Sequence, residues 1–253
     1  MSSGRGRPRN KTAALRVIEI CQFEPAWSVN LSPFCCKVET YCQLAGVGYS
    51  TKSVSPFKAP RGKLPFIVDA GKTIPDSARI IDHLKATRGD PLDAALTPAQ
   101  QSIGHLLRQT CEHSLYFSAV YSRWIDDAFW PEVRSAFFGR MPPGVRTAVA
   151  ALARRGIRQT LHAQGTGRLP PSEIYANAAR DLSAIAAQLA QHEYAVGPAP
   201  SSFDACVYAF MHNILDGPLA TPIKAAALQL PALVAYTDRM NQRLGWSPES
   251  KGS

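Results

Sequence analysis

A proline stands where a buried strand should begin, and the chain around it admits few folds. Leu64 to Val68 are apolar and end in β-branched residues, the composition of a buried strand. Ala70-Gly71-Lys72 supply a tight turn, and Thr73-Ile74 can return as a second strand. Pro75-Asp76-Ser77 then open a helix whose apolar face is Ala78, Ile81 and Leu84. Proline has no N–H to give to a ladder, so within sheets it is confined to edges, bulges and first residues. Pro65 therefore reads as a strand start. A cis bond there would turn the Leu64 N–H and C=O outward, where an extended peptide can pair with them. The helix start nearby offers two further contacts: Asp76 can hold an ammonium, while the Ser77 hydroxyl and the free amides can hold a carboxylate. One end of a small zwitterionic peptide satisfies both.

The rest of the chain builds outward from this unit. Leu15 to Cys21 reads as a first, largely buried strand, followed by a loop over Glu24 to Leu31. Ser32 is an N-cap, Pro33 suits the first helical position and Gly46 ends the helix, with apolar positions 34, 38, 41, 42 and 45 on one face. Tyr49 to Ser55 reads as a second strand, parallel to the first. The order β-α-β, then β-β-α, is that of an α/β thioredoxin-like domain over residues 14–87. Residues 88–93 read as a linker. From Ala94 to residue 247 the strand signal disappears and an all-α domain follows. Thr97-Pro98 caps a long helical pattern to Trp124, Pro142-Pro143-Gly144 marks a break, and helices are expected over 145–164, from Pro171 to His192, from Ala205 to Ile214 and over 231–244. Ser201 and Asp204 have capping-box spacing.

Composition excludes several classes. No window approaches ~20 uninterrupted apolar residues, so no membrane-spanning helix is expected. The six cysteines form no Cys-x-x-Cys pair and no zinc-ligand spacing, which points to free thiols in a reducing cytoplasm and to no metal. Of the net charge of +9, Arg5, Arg7, Arg9 and Lys11 supply four. They sit in a Gly/Ser/Pro-rich tail, residues 1–13, expected to be disordered; residues 248–253 read as a short C-terminal tail. Arg5-Gly6-Arg7-Pro8 resembles the core of an AT-hook, which enters the minor groove of A·T-rich DNA. Four residues arise easily by chance, so the tail reads as a solvated leader and nucleic acid is not an expected partner.

Lys63-Leu64-Pro65 followed by Asp76-Ser77 resembles the glutathione-binding half of the cytosolic glutathione transferases, and a Ser-x-x-Asp box opening a buried late helix resembles their C-terminal domain. In detail the chain is similar to the failed-axon-connections and metaxin-like branch and its bacterial relatives, through residues 32–39, 62–67, 121–124 and 163–168. The resemblance covers about residues 14–247. It implies that the Leu64 backbone, Pro65, Asp76 and Ser77 bind glutathione as co-substrate, with Lys63, backed by Arg61, at the glycyl carboxylate. It implies a homodimer. Ser32, at a helix N-terminus that lowers thiol pKa, can stabilise the glutathione thiolate or serve only as a cap, with Ser28 or the Trp27 ring as fallback. Ser32-Pro33-Phe34-Cys35 also resembles the glutaredoxin Cys-Pro-x-Cys motif with its attacking cysteine replaced, which argues against a dithiol reductase and makes Cys35 a packing residue. Tyr116, Val120 and Trp124 share a helix face at i, i+4 spacing and are candidates for an acceptor pocket or for core. The expected activity is transfer of glutathione to a hydrophobic electrophile, by conjugation or by ether or halide cleavage. The alternative is a non-catalytic interaction module of the same fold.

Overall fold

Three parallel or antiparallel pairings assemble the sheet of the computed structural model, which describes residues 17–24, 26, 27 and 29–246. The basic tail with Arg5 to Pro8, the expected strand start at Leu15 and Arg16, Ser28 and residues 248–253 lie outside those described. Strand β1 (Ile18–Gln22) is followed by helix α1 (Pro33–Leu44) and strand β2 (Tyr49–Ser53). The helix is the crossover that parallel neighbours require, and β2 pairs with β1 with Ile18 opposite Tyr49. Strand β3 (Phe66–Asp69) runs antiparallel to β1, with Cys21 opposite Phe66. It turns into β4 (Lys72–Pro75) through Ala70 and Gly71, whose φ of 50° and 79° fit the two-residue hairpin turn in which both central residues are left-handed. The order is β2-β1-β3-β4. Helix α2 (Ser77–Arg88) closes the unit, burying Ile80, Ile81 and Leu84. The expected apolar face held Ala78 in place of Ile80; Ala78 is only half-buried.

Helix α1 departs from the one-faced reading. Val38, Tyr41 and Cys42 pack on the sheet, while Cys36 and the half-buried Phe34 belong to the core of the helical half. The helix is therefore enclosed on two sides, and Lys37 and Thr40 are buried with it.

The second half is helical throughout. Helix α3 (Pro98–Gln109) begins with the expected Thr97 cap and passes through a wider π-type segment, Thr110–Leu115, into α4 (Tyr116–Trp124). Two unexpected helices are α5 (Trp130–Phe138) and α9 (Pro222–Leu228). Helix α6 spans Pro143–Gln164, α7 Pro171–Leu189, α8 Ser202–Leu215, α9 Pro222–Leu228 and α10 Pro231–Leu244. Thr221-Pro222 starts α9 with the same cap-then-proline signal as Thr97-Pro98, on a run too short to stand out by periodicity. Helix α8 is the axis of this half: nearly all its residues are buried, and it packs on α1. The Ser201–Asp204 capping box forms, and the Asp204 carboxylate also accepts from Ala195 N at 2.8 Å and Tyr236 Oη at 3.0 Å. Burial pushes its pKa up while these donors pull it back. Asp93, the last residue of the expected linker, is buried and accepts from Ser202 N at 2.7 Å and Ser202 Oγ at 2.5 Å while pairing with Lys85. The segment between the two halves is thus fastened to the start of α8.

Candidate functional site

Ser32 stands at the start of α1 with the extended backbone of an N-cap (φ −114°, ψ 123°). Its Oγ accepts from Cys35 N at a long 3.4 Å, while its backbone oxygen takes the same N–H, and that of Cys36, at 3.1 Å. The hydroxyl is therefore weakly spent on capping. Asn30 fixes the approach to this position. Its Oδ1 accepts from Ser32 N at 3.1 Å, and its Nδ2 donates to Gln22 at the end of β1 and to Glu39 on α1, both at 3.0 Å.

Beside Ser32 opens a cavity of about 180 Å³. Tyr116, Val120 and Trp124 of α4 line it, with Phe210 of α8 and Phe137 of α5 adding apolar surface. Tyr116 packs edge-on against Phe34 at 5.0 Å between ring centroids, and burial raises its pKa. Arg123 also lines the cavity. Its guanidinium donates to Leu31 O at 3.3 Å and to Asn213 O and Oδ1 at 3.0 and 3.2 Å, and lies 5.9 Å from the centre of the Trp27 ring. Trp27, one of the fallbacks for Ser32, is thus held against a cation.

A second cluster gathers on the β3–β4 hairpin. The Leu64–Pro65 peptide is cis, both residues are buried, and Pro65 O accepts from Asp76 N at 3.3 Å. Asp76 caps α2, its Oδ1 accepting from Ala78 N at 3.0 Å and Arg79 N at 3.4 Å. It does so at φ 77°, ψ 129°, a conformation that costs a side-chain-bearing residue about 1–3 kcal/mol. Ser77 is buried, and Lys37 Nζ reaches its Oγ at 3.5 Å. Arg61 and Lys63 are exposed on the segment leading into the cis bond.

The two clusters share α1: Ser32 is its cap, and Lys37, one turn further on, touches Ser77. Lys37 also forms an ion pair with Glu112 of the π-type segment at 2.6 Å, with the side chains 2% and 11% exposed. The sequence reading assigned Lys37, Asn30 and Asn213 no role. A lysine amid the apolar positions of α1 was the one available sign. Cys35 is buried and its thiol is pushed up to about 12 by burial, as suits a packing residue. All six cysteines are buried, and none is joined in a disulfide.

Comparison with known proteins agrees with this architecture. Residues 33–129 match the profile described as glutathione S-transferase N-terminal domain, and residues 178–240 that described as glutathione S-transferase, C-terminal domain. An isoprene-epoxide–glutathione S-transferase of Rhodococcus sp. (strain AD45) is 30% identical over 90% of this chain and 99% of its own length. Failed axon connections of Drosophila melanogaster is 26% identical over 85% of this chain, which spans only 54% of that protein. Among solved structures, a beta-etherase from Sphingobium sp. strain SYK-6 superposes with a TM-score of 0.59 at 15% identity, covering 91% of this chain and 100% of the other. The fold is that of the glutathione transferases, as the resemblance implied.

Proposed function

The chain belongs to the glutathione S-transferase family, and from that premise we propose that it is a glutathione-dependent transferase acting on a small hydrophobic electrophile. The observation that carries the reading is that Ser32, whose hydroxyl makes only a long capping bond to Cys35 N, lines an apolar cavity together with Tyr116, Val120 and Trp124. In this reading the Leu64 backbone pairs with the peptide of glutathione beside Pro65. Asp76 Oδ2 takes its ammonium, since Oδ1 is engaged by the helix amides. Ser77 meets its γ-glutamyl carboxylate, and Lys63 its glycyl carboxylate. The sulfur then lies at the α1 N-terminus, where the helix dipole and the Ser32 hydroxyl favour thiolate. Attack forms a carbon–sulfur bond at the acceptor held in the cavity and breaks that carbon's bond to oxygen or halide, which takes the electron pair. The Rhodococcus relative, named for an epoxide, supports conjugation as the reaction.

A homodimer is part of the proposal, supported by Leu106 and Ile103, exposed one turn apart on α3. Six reduced thiols support a cytoplasmic setting. Among the described residues no helix is long and apolar enough to cross a membrane.

Calorimetry with reduced glutathione tests the reading, with thermal unfolding as a second measure, because a ligand of the native state raises its stability. Binding heat and a raised midpoint at millimolar glutathione are expected. Neither effect at that concentration would transfer support to a non-catalytic interaction module of the same fold.

A further inference from the structure

The cavity beside Ser32 is lined by a positive charge, that of Arg123, which pairs with no carboxylate among the described residues. Arg123 Nη1 donates to Leu31 O at 3.3 Å and Asn213 Oδ1 at 3.2 Å; Nη2 donates to Asn213 O at 3.0 Å and Asn213 Oδ1 at 3.2 Å. The acceptors of both terminal nitrogens are neutral oxygens, and the Trp27 ring lies 5.9 Å from the guanidinium. Among the described residues no carboxylate lies within ion-pair distance of this guanidinium, and burial lowers its pKa to about 10. A sequestered guanidinium ordinarily faces a carboxylate or phosphate. Arg154 on α6 does so: it bonds the carbonyls of Trp124 and Ile125 and also pairs with Asp127 at 2.6 Å. At Arg123 the place of the acid is taken by Asn213, an amide of the same shape whose Nδ2 is buried without a hydrogen-bond partner. The arrangement keeps the guanidinium rigid and leaves its field directed at whatever occupies the cavity.

We propose that Arg123 determines the acceptor class, favouring an electrophile whose carbon–oxygen bond breaks on attack, so that negative charge gathers on oxygen inside the cavity. The inference rests on the glutathione transferase reading. In the step, the thiolate sulfur forms a bond to carbon, the electron pair of the broken carbon–oxygen bond moves to oxygen, and water supplies the proton that completes the hydroxyl. A small epoxide meets these conditions with no separate leaving group. The cavity's 180 Å³ is below the ~300–1,000 Å³ of pockets for drug-sized ligands, which fits a small acceptor. A localised oxyanion gains more from a fixed nearby cation than a large, diffuse halide does.

The test supplies the missing counter-charge. Asn213→Asp puts a carboxylate against the guanidinium and removes only an amide nitrogen that has no partner, so the fold should be kept. Arg123→Gln removes the charge itself. Glutathione turnover is measured with 1,2-epoxybutane and with 1-bromobutane in wild type and both variants, alongside glutathione calorimetry. The wild type is expected to prefer the epoxide. Each variant should lose on the order of 10²-fold in kcat/KM for the epoxide and less than about tenfold for the bromide, the scale seen when one stabiliser of a developing oxyanion is removed. Glutathione affinity should hold. Equal losses for the two acceptors, no loss for either, or a wild type without epoxide preference would overturn the inference while leaving the transferase reading intact. Absence of glutathione binding in the wild type would overturn the reading and the inference together.

Discussion

Ser32 carries two demands on one hydroxyl, and the geometry says how they divide. The cap bond to Cys35 N is 3.4 Å long, and that N–H is also taken by the Ser32 carbonyl at 3.1 Å. Ser32→Ala should therefore cost stability near or below the ~1 kcal/mol typical of a lost cap. If the hydroxyl donates to the glutathione thiolate, the same change removes a hydrogen bond to a charged group, worth ~1.5–3 kcal/mol, and raises the thiol pKa of bound glutathione by about one to two units. Ser32→Asn keeps a capping side chain with different geometry near the sulfur, so stability and thiol acidity should separate. Thiolate absorbance of the glutathione complex against pH, in wild type and both variants, reads the effect. An unshifted pKa in both would leave Ser32 a cap and pass the thiolate to the Trp27 ring or to Ser28.

Between elements, the most consequential contact is the ion pair that joins α1 to the π-type segment between α3 and α4. Widening the helix by one residue re-aims the side chains that follow, and such segments recur at functional sites. Here it presents Glu112 to Lys37 at 2.6 Å and to Cys206 Sγ at 3.6 Å. Two charges so far out of water attract strongly but have given up their hydration, so the pair as a whole adds little stability while either charge alone is costly. Lys37→Met or Glu112→Gln by itself should destabilise by about 3–5 kcal/mol, whereas Lys37→Met with Glu112→Leu should come much nearer to wild type. Urea unfolding of the three variants measures this. Single variants within about 1 kcal/mol of wild type would mean that the pair is hydrated in solution. Because Lys37 also reaches Ser77 Oγ, the pair connects the turn proposed for the glutamyl carboxylate to the core of the helical half.

At the scale of the molecule, both halves depend on a carboxylate held ionised. Asp69 on β3 accepts from His83 and Arg88 of α2, each at 2.8 Å. Asp216, at the end of α8, bonds His212 at 2.7 Å and Asn241 of α10 at 2.9 Å. Burial pushes both pKa values up, but these donors outweigh it and both lie below the usual carboxylate range. A carboxyl depressed in the folded state stays unprotonated where the unfolded chain has already taken up a proton. Its stabilising contribution is thus complete above the unfolded value of about 3.9 and is lost as pH falls through the lower folded value. Wild-type stability should decline as pH drops below about 4. An Asp69→Asn/Asp216→Asn variant, less stable at neutral pH, should show a shallower decline. Parallel curves, from urea unfolding at a series of pH values, would show that other carboxylates govern acid unfolding.

What the chain states locally was legible in its residues. A proline at a strand start, a turn of Ala70-Gly71, the Thr97 cap and the Ser201–Asp204 box all depend on partners within a few positions, so spacing alone specifies them. Element order and the two-part fold followed from that punctuation, as did the alignment of Tyr116, Val120 and Trp124 on one helix face. The helices missed, α5 and α9, are the short ones, where periodicity has too few turns to register. Spacing could not decide which side chains meet across the chain. Lys37 and Glu112 are 75 residues apart, Arg123 lies 92 from Leu31 and 90 from Asn213, and Asp93 lies 109 from Ser202. Those meetings exist because α1 is enclosed between the sheet and α8, a packing that buries Lys37 and brings the carbonyl before Ser32 against α4. Sequence periodicity identifies which face of a helix is apolar; only the packing of faces determines which polar groups are buried with it, and therefore which charges must find a partner.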